Sequence, residues 1–164
     1  KMSFKIRQRN ENDVTGLLKL INQLETFHRH PQQVVNTELK LKEDGFGENS
    51  IYKVFVAEET KTNAIIGMAL YYTAFSTWKG RIFYLDDIVV TERCKKFGIG
   101  RKLINEVLRD AHRSGVKQIR WQVLDWNIPA IEFYKSIGVE FDPAWINCKM
   151  SNEQIEKYIQ LINQ

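Results

Sequence analysis

Residues 83–108, FYLDDIVVTERCKKFGIGRKLINEVL, restrict the fold of this chain more than any other stretch. The aromatic and β-branched residues of 83–91 read as a buried strand, yet Asp86 and Asp87 sit side by side in its middle. An ionised carboxylate inside a sheet must be solvated, paired or used, so the pair marks a candidate site. Period-two alternation places the two on opposite faces, which would give them separate roles. After the strand come the basic residues Arg93, Lys95 and Lys96 and two glycines, Gly98 and Gly100. Apolar residues then recur at 99, 103, 104, 107, 108 and 111, which is helical spacing. Strand, glycine-bearing basic loop and helix start make an anion site, because first-turn amides lack helical acceptors and the helix dipole adds to them.

The other elements follow from the same patterning. Residues 3–8 alternate as a first strand, and Asp13 is expected to cap a helix whose Val14, Leu17, Leu18, Ile21 and Leu24 share one face. Thr37 caps a short helix over 38–42. Residues 52–58 and 65–74 flank the polar 59–63, giving an antiparallel hairpin. The helix from Gly98 closes near Gly115, 118–124 reads as a strand, and Asn127 caps a helix carrying Phe133 and Tyr134. A strand over 145–150 and a helix started by a Ser151–Gln154 capping box complete the order β-α-α-β-β-β-α-β-α-β-α.

The 164 residues suit one domain over 1–164, with no linker, repeat or low-complexity tract. Lys1 ahead of Met2 reads as an added residue. No signal core or membrane-length apolar run is evident, and the two cysteines, Cys94 and Cys148, are expected as reduced thiols in a cytoplasmic protein. The net charge of +4 is modest and concentrates near 93–102, which favours a small phosphorylated ligand over nucleic acid or a membrane surface. His28 and His30 lack neighbouring thiolate or carboxylate ligands, so no metal is expected, and His28 is weighed as a substrate contact.

No P-loop GxxxxGK(S/T) is present, and Leu103 stands where a dinucleotide fingerprint needs its third glycine. Lys95-Lys96-Phe97-Gly98-Ile99-Gly100 instead resembles the (Arg/Gln)-x-x-Gly-x-(Gly/Ala) acetyl-CoA signature of the GNAT N-acetyltransferase superfamily. Further blocks extend the resemblance to its diamine (spermidine/spermine) and thialysine acetyltransferase branch. They are Asp44-Gly-Phe-Gly-Glu48, Gly67-Met-Ala-Leu-Tyr-Tyr72, Trp78, Tyr84-Leu-Asp-Asp87 and Trp126-Asn-x-Pro-Ala-Ile-x-Phe-Tyr-Lys135, in order over about residues 4–150.

The resemblance implies an α/β GNAT fold, with a mixed twisted sheet that splays beside the central strand and helices on both faces. It implies acetyl-CoA as acyl donor, held by Ile88, Val89 and Val90 along its pantetheine and by Lys95, Lys96, Phe97, Gly98, Ile99, Gly100 and Arg101 at its pyrophosphate, with Asn127 and Tyr134 also against it. Asp86, where relatives carry Glu, is implied in the proton path, and Tyr134 as the acid that protonates the departing thiolate. A carboxylate that caps backbone amides and a packed core tyrosine are the plainer readings of the same two residues. Asp87, Trp78, Tyr84 and His28 are implied near a cationic acceptor, with Trp126 as a further wall. His28 and Ser76 replace acidic residues usual in polyamine enzymes, which favours a small diamine or a lysine-like amino acid over a long polyamine. A peptide or aminoglycoside acceptor and a non-catalytic CoA-binding module are the alternatives, and a homodimer is implied throughout.

Overall fold

The structure is a computed structural model that describes residues 1–27 and 34–164. The chain divides into two compact units, Lys1–Gln122 and Val123–Gln164.

The first unit is built on a five-stranded sheet in the order β1 (Phe4–Gln8), β2 (Lys53–Glu59), β3 (Ile65–Ser76), β4 (Gly80–Val90) and β5 (Ile119–Arg120). Neighbours are antiparallel except β4 and β5, which are parallel, so the sheet is mixed as expected. β5 meets β4 only at Phe83↔Ile119 and Tyr84↔Arg120, and the register goes no further. The strand expected over 118–124 is therefore two residues long, and the pairing between β4 and β5 opens beyond Tyr84.

Two helices precede β2, namely α1 (Val14–Phe27) and α2 (Glu38–Gly45), and α3 (Ile99–Ser114) joins β4 to β5. Val14, Leu17 and Leu20 of α1 pack with Val54, Val56, Met68 and Val89 on one face of the sheet. α3 covers the other, and Gly67 shows how tightly. A Cβ there would meet Ile99 Cγ2 at 3.1 Å and the Val89 carbonyl oxygen at 3.2 Å. Tyr71, on that face between Phe55 and Phe83, donates its hydroxyl to Asp110 of α3 at 2.6 Å.

The expected capping role of Asp13 is corrected. Asn10 caps a 3₁₀ turn, Glu11–Asp13, that leads into α1, and Asp13 closes the box by accepting the Asn10 N–H at 2.7 Å. The same carboxylate accepts both terminal nitrogens of Arg7 at 2.8 and 2.9 Å, while Arg7 Nε donates to Glu58 at 2.6 Å. β1, β2 and the entry to α1 are thus joined through one guanidinium. Thr37 caps α2 as expected, and the helix runs on to Gly45, where a Cβ would lie 2.1 Å from the Tyr52 hydroxyl oxygen.

The second unit contains α4 (Ile128–Ser136) and α5 (Asn152–Ile162). Asn127 accepts from Ala130 N–H and Ser151 with Gln154 forms the expected capping box. The strand expected over 145–150 is absent: a strand is a paired object, and alternation alone supplies no partner.

Candidate active site

β4 carries a bulge at the aspartates. Leu85 pairs with Tyr71 and Asp87 with Leu70, so Asp86 is an extra residue opposite no position of β3. Before the bulge, Phe83 and Leu85 are buried on the α3 side, leaving Tyr84 and Asp86 on the side of Tyr72, whose ring lies 5.5 Å from that of Tyr84. After the bulge the alternation is shifted by one, and Val89 joins the α1 cluster. Asp86 and Asp87 therefore face the same way, and the expectation of opposite faces is corrected. Both line one cavity of about 540 Å³ between β3, β4 and α2.

That cavity has apolar walls, among them Leu41, Met68 and Tyr72, and a polar rim in which α2 contributes Lys40 and Asp44. Asp86 is exposed, whereas Asp87 is half-buried. Burial, the neighbouring Asp86 charge and a hydrogen bond shared with it push the Asp87 carboxyl up to about 7. Burial likewise raises the Tyr72 and Tyr84 phenols. An aliphatic ammonium entering here meets two adjacent carboxylates that can share one proton, which suits both recognition of a cation and acceptance of its proton.

About 10 Å along β4 from Asp87 the strand ends at Val90, taking ~3.3 Å per residue. A 3₁₀ turn, Glu92–Cys94, follows, and then a loop in which Lys96 (φ 72°) and Gly98 (φ 80°) are both left-handed. Left-handed residues in a turn before a helix are the backbone type from which anion-binding nests are made. Gly98 precedes α3 without any side-chain cap, and the first turn of α3 has no acidic residue. A Cβ on Gly100 would approach only Val90 Cγ2, at 4.0 Å, so the space beside it is open. This geometry fits a pyrophosphate: first-turn amides, a favourable dipole and room for close approach. Ile99 is buried and anchors the helix, while Phe97 is half exposed.

The basic cluster is less uniform than its sequence implies. Arg93 faces Glu59 at 3.5 Å, Lys95 pairs with Glu92 at 2.6 Å and lies over the Phe27 ring, and Lys102 lies over Phe4. Backbone geometry rather than side-chain charge is therefore the persistent feature of the loop. Cys94 is fully buried, which makes it a packed thiol; Cys148 is free and exposed.

Trp78 lies at the exposed tip of the β3–β4 hairpin, and Ser76 accepts backbone N–H groups of that turn. Tyr84 packs with its ring tilted against Tyr72, which lines the cavity. His28 lies outside the described residues. In the second unit Tyr134 is buried on α4 and Asn127 caps that helix. Lys40 was not anticipated, and its signal was faint: it flanks the buried Leu41 and lies one turn before Asp44 on α2. Among the described residues no cluster of His, Cys, Asp or Glu could hold a metal, and no helix is long and apolar enough to cross a membrane.

The chain is 35% identical over 164 residues to the thialysine N-epsilon-acetyltransferase of Mus musculus, an alignment covering 94% of this chain and 96% of that protein. An integron cassette protein from V. cholerae superposes with a TM-score of 0.77 at 23% identity, covering 98% of this chain and 99% of that one. An aminoglycoside N-acetyltransferase solved in complex with CoA superposes with a TM-score of 0.70 at 18% identity, covering 92% and 96%. The model of the acetyltransferase (GNAT) family matches residues 17–139, and the chain belongs to that family as an N-acetyltransferase.

Proposed function

We propose that the chain transfers the acetyl group of acetyl-CoA to a primary amine of a lysine-like amino acid or small diamine, and that residues 1–164 form one catalytic domain. The observation that carries this reading is the bulge that turns Asp86 and Asp87 into one cavity, with a phosphate-ready loop at the end of the same strand. The mouse thialysine enzyme and the CoA complex of the aminoglycoside enzyme support the acceptor class and the donor. When bound, acetyl-CoA supplies an activated acyl carbon on a sulfur leaving group.

In this reading Lys96 to Arg101 hold the pyrophosphate through backbone amides, and Ile88 to Val90 offer main-chain groups to the pantetheine. Asp86 and Asp87 bind the acceptor ammonium. The pair first takes one proton from the ammonium, which frees the nitrogen lone pair to attack the acyl carbon; once bonded, the nitrogen is strongly acidic and gives up its second proton to solvent. Asp87 is the better acceptor, being the more buried of the two, and Asp86 keeps the local charge negative. Tyr134 gives its phenolic proton to the departing thiolate, so the C–S bond breaks and an amide and a thiol result. We further propose a homodimer in the cytoplasm, in keeping with the exposed apolar face of α5 and with free thiols.

Thiol release from acetyl-CoA, measured with thialysine, lysine, diamines, spermidine, a lysyl peptide and an aminoglycoside, tests the reading. Turnover restricted to the last two would replace the acceptor. Tight CoA binding without turnover of any amine would make the chain a non-catalytic binding module. Tyr134→Phe is expected to lower kcat by roughly a hundredfold or more.

A further inference from the structure

The cavity holds charges of both signs. Asp86 and Asp87 face it from β4, and Lys40 and Asp44 face it from α2. A pocket shaped for a bare polyamine gains nothing from an ammonium in its wall, since that group repels every amine that enters. Like many of the surface lysines, Lys40 makes no ion pair with any described residue; what sets it apart is its place in the cavity lining. Asp44 lies four residues on, about 6 Å along the helix at ~1.5 Å per residue, yet the two do not close an ion pair.

We propose that Lys40 recognises a carboxylate on the acceptor, so that the site selects a zwitterionic amino acid over an amine of the same length without that group. This rests on the acceptor site proposed above. The reacting amine sits at Asp86 and Asp87, the aliphatic chain runs along Leu41, Met68 and Tyr72, and the amino-acid head reaches α2. There its carboxylate faces Lys40 and its α-ammonium faces Asp44. Every charge on such a molecule then meets an opposite charge, and the apolar walls match its methylene chain. A diamine fills only the β4 end and leaves Lys40 unmatched.

The experiment compares lysine, lysinamide and 1,5-diaminopentane with the full-length chain and with Lys40→Ala and Lys40→Glu. Lys40 is an exposed helix position, so Ala preserves α2. The unaltered chain is expected to show a KM for lysinamide about fivefold above that for lysine, the upper size of one exposed ion pair. Lys40→Ala brings the two within about twofold by raising KM for lysine rather than lowering kcat, and Lys40→Glu reverses the order in favour of the diamine. Equal KM values for lysine and lysinamide in the unaltered chain, or a ratio that survives Lys40→Ala, overturn the assignment while leaving the acceptor class standing. Turnover of none of the three overturns the acceptor class and the assignment together.

Discussion

Asp87 holds its proton near neutrality because burial and the adjacent Asp86 both penalise its ionised form. The folded carboxyl titrates at about 7 against 3.8 in the unfolded chain, so between those values the folded state binds the extra proton. The stability this group contributes is therefore fully present below 3.8 and is lost as pH rises through about 7. Asp87→Asn should raise the denaturant midpoint at pH 8 and leave it nearly unchanged at pH 4, an effect read from paired unfolding curves. It should also lower kcat by roughly a hundredfold or more, since the proton acceptor is gone. Asp86→Asn tests the coupling differently. Removing the like charge eases ionisation of Asp87, so the acid limb of the kcat/KM profile should move to lower pH, and an unmoved limb would show that the two do not interact. The pair itself was legible in the sequence as a flaw in an aromatic strand. Its geometry was not, because the bulge is fixed by where Leu70 and Tyr71 pair, and no stretch of β4 read alone contains that register.

At the scale of elements, Gly67 on β3 and Gly100 in the first turn of α3 separate packing from ligand contact. Gly67 lets α3 lie against β3, and one atom in its way is the Val89 carbonyl, which cannot swing aside as a side chain would. Gly67→Ala should cost about 1–3 kcal/mol by urea titration, the usual range for overpacking. Gly100 has open space where a Cβ would go. Gly100→Ala should therefore keep or gain about 0.5–1 kcal/mol as a helical substitution, yet raise KM for acetyl-CoA if a phosphate lies against it. A destabilised Gly100→Ala would place that glycine with the packing residues instead. The hairpins and capping boxes were readable because they depend on residues a few positions apart, as in Ser151 and Gln154 or Thr37 and Lys40. β5 and residues 145–150 were misjudged for the opposite reason, since their strand character depends on distant partners.

At the scale of the whole molecule, the second unit carries an apolar stripe on α5. Ile155, Tyr158, Ile159 and Ile162 recur at helical spacing on one side and are 46–59% exposed, and Trp145 and Ile146 nearby in sequence are exposed as well. Single apolar residues on a surface need no explanation, but a stripe repeating along one side of a helix does. The charged ties elsewhere are satisfied within the chain, as at Arg7, Asp13 and Glu58, so they hold the first unit without a partner. The homodimer proposed above would bury the α5 stripe in an isologous contact, in which the same face serves both copies. Light scattering at micromolar concentration should then return twice 19.3 kDa. Ile159→Glu, which sets a charge in the middle of the stripe, should shift the mass toward one copy while circular dichroism retains the sheet. A single-copy mass for the unaltered chain, unchanged by Ile159→Glu, would sink the homodimer.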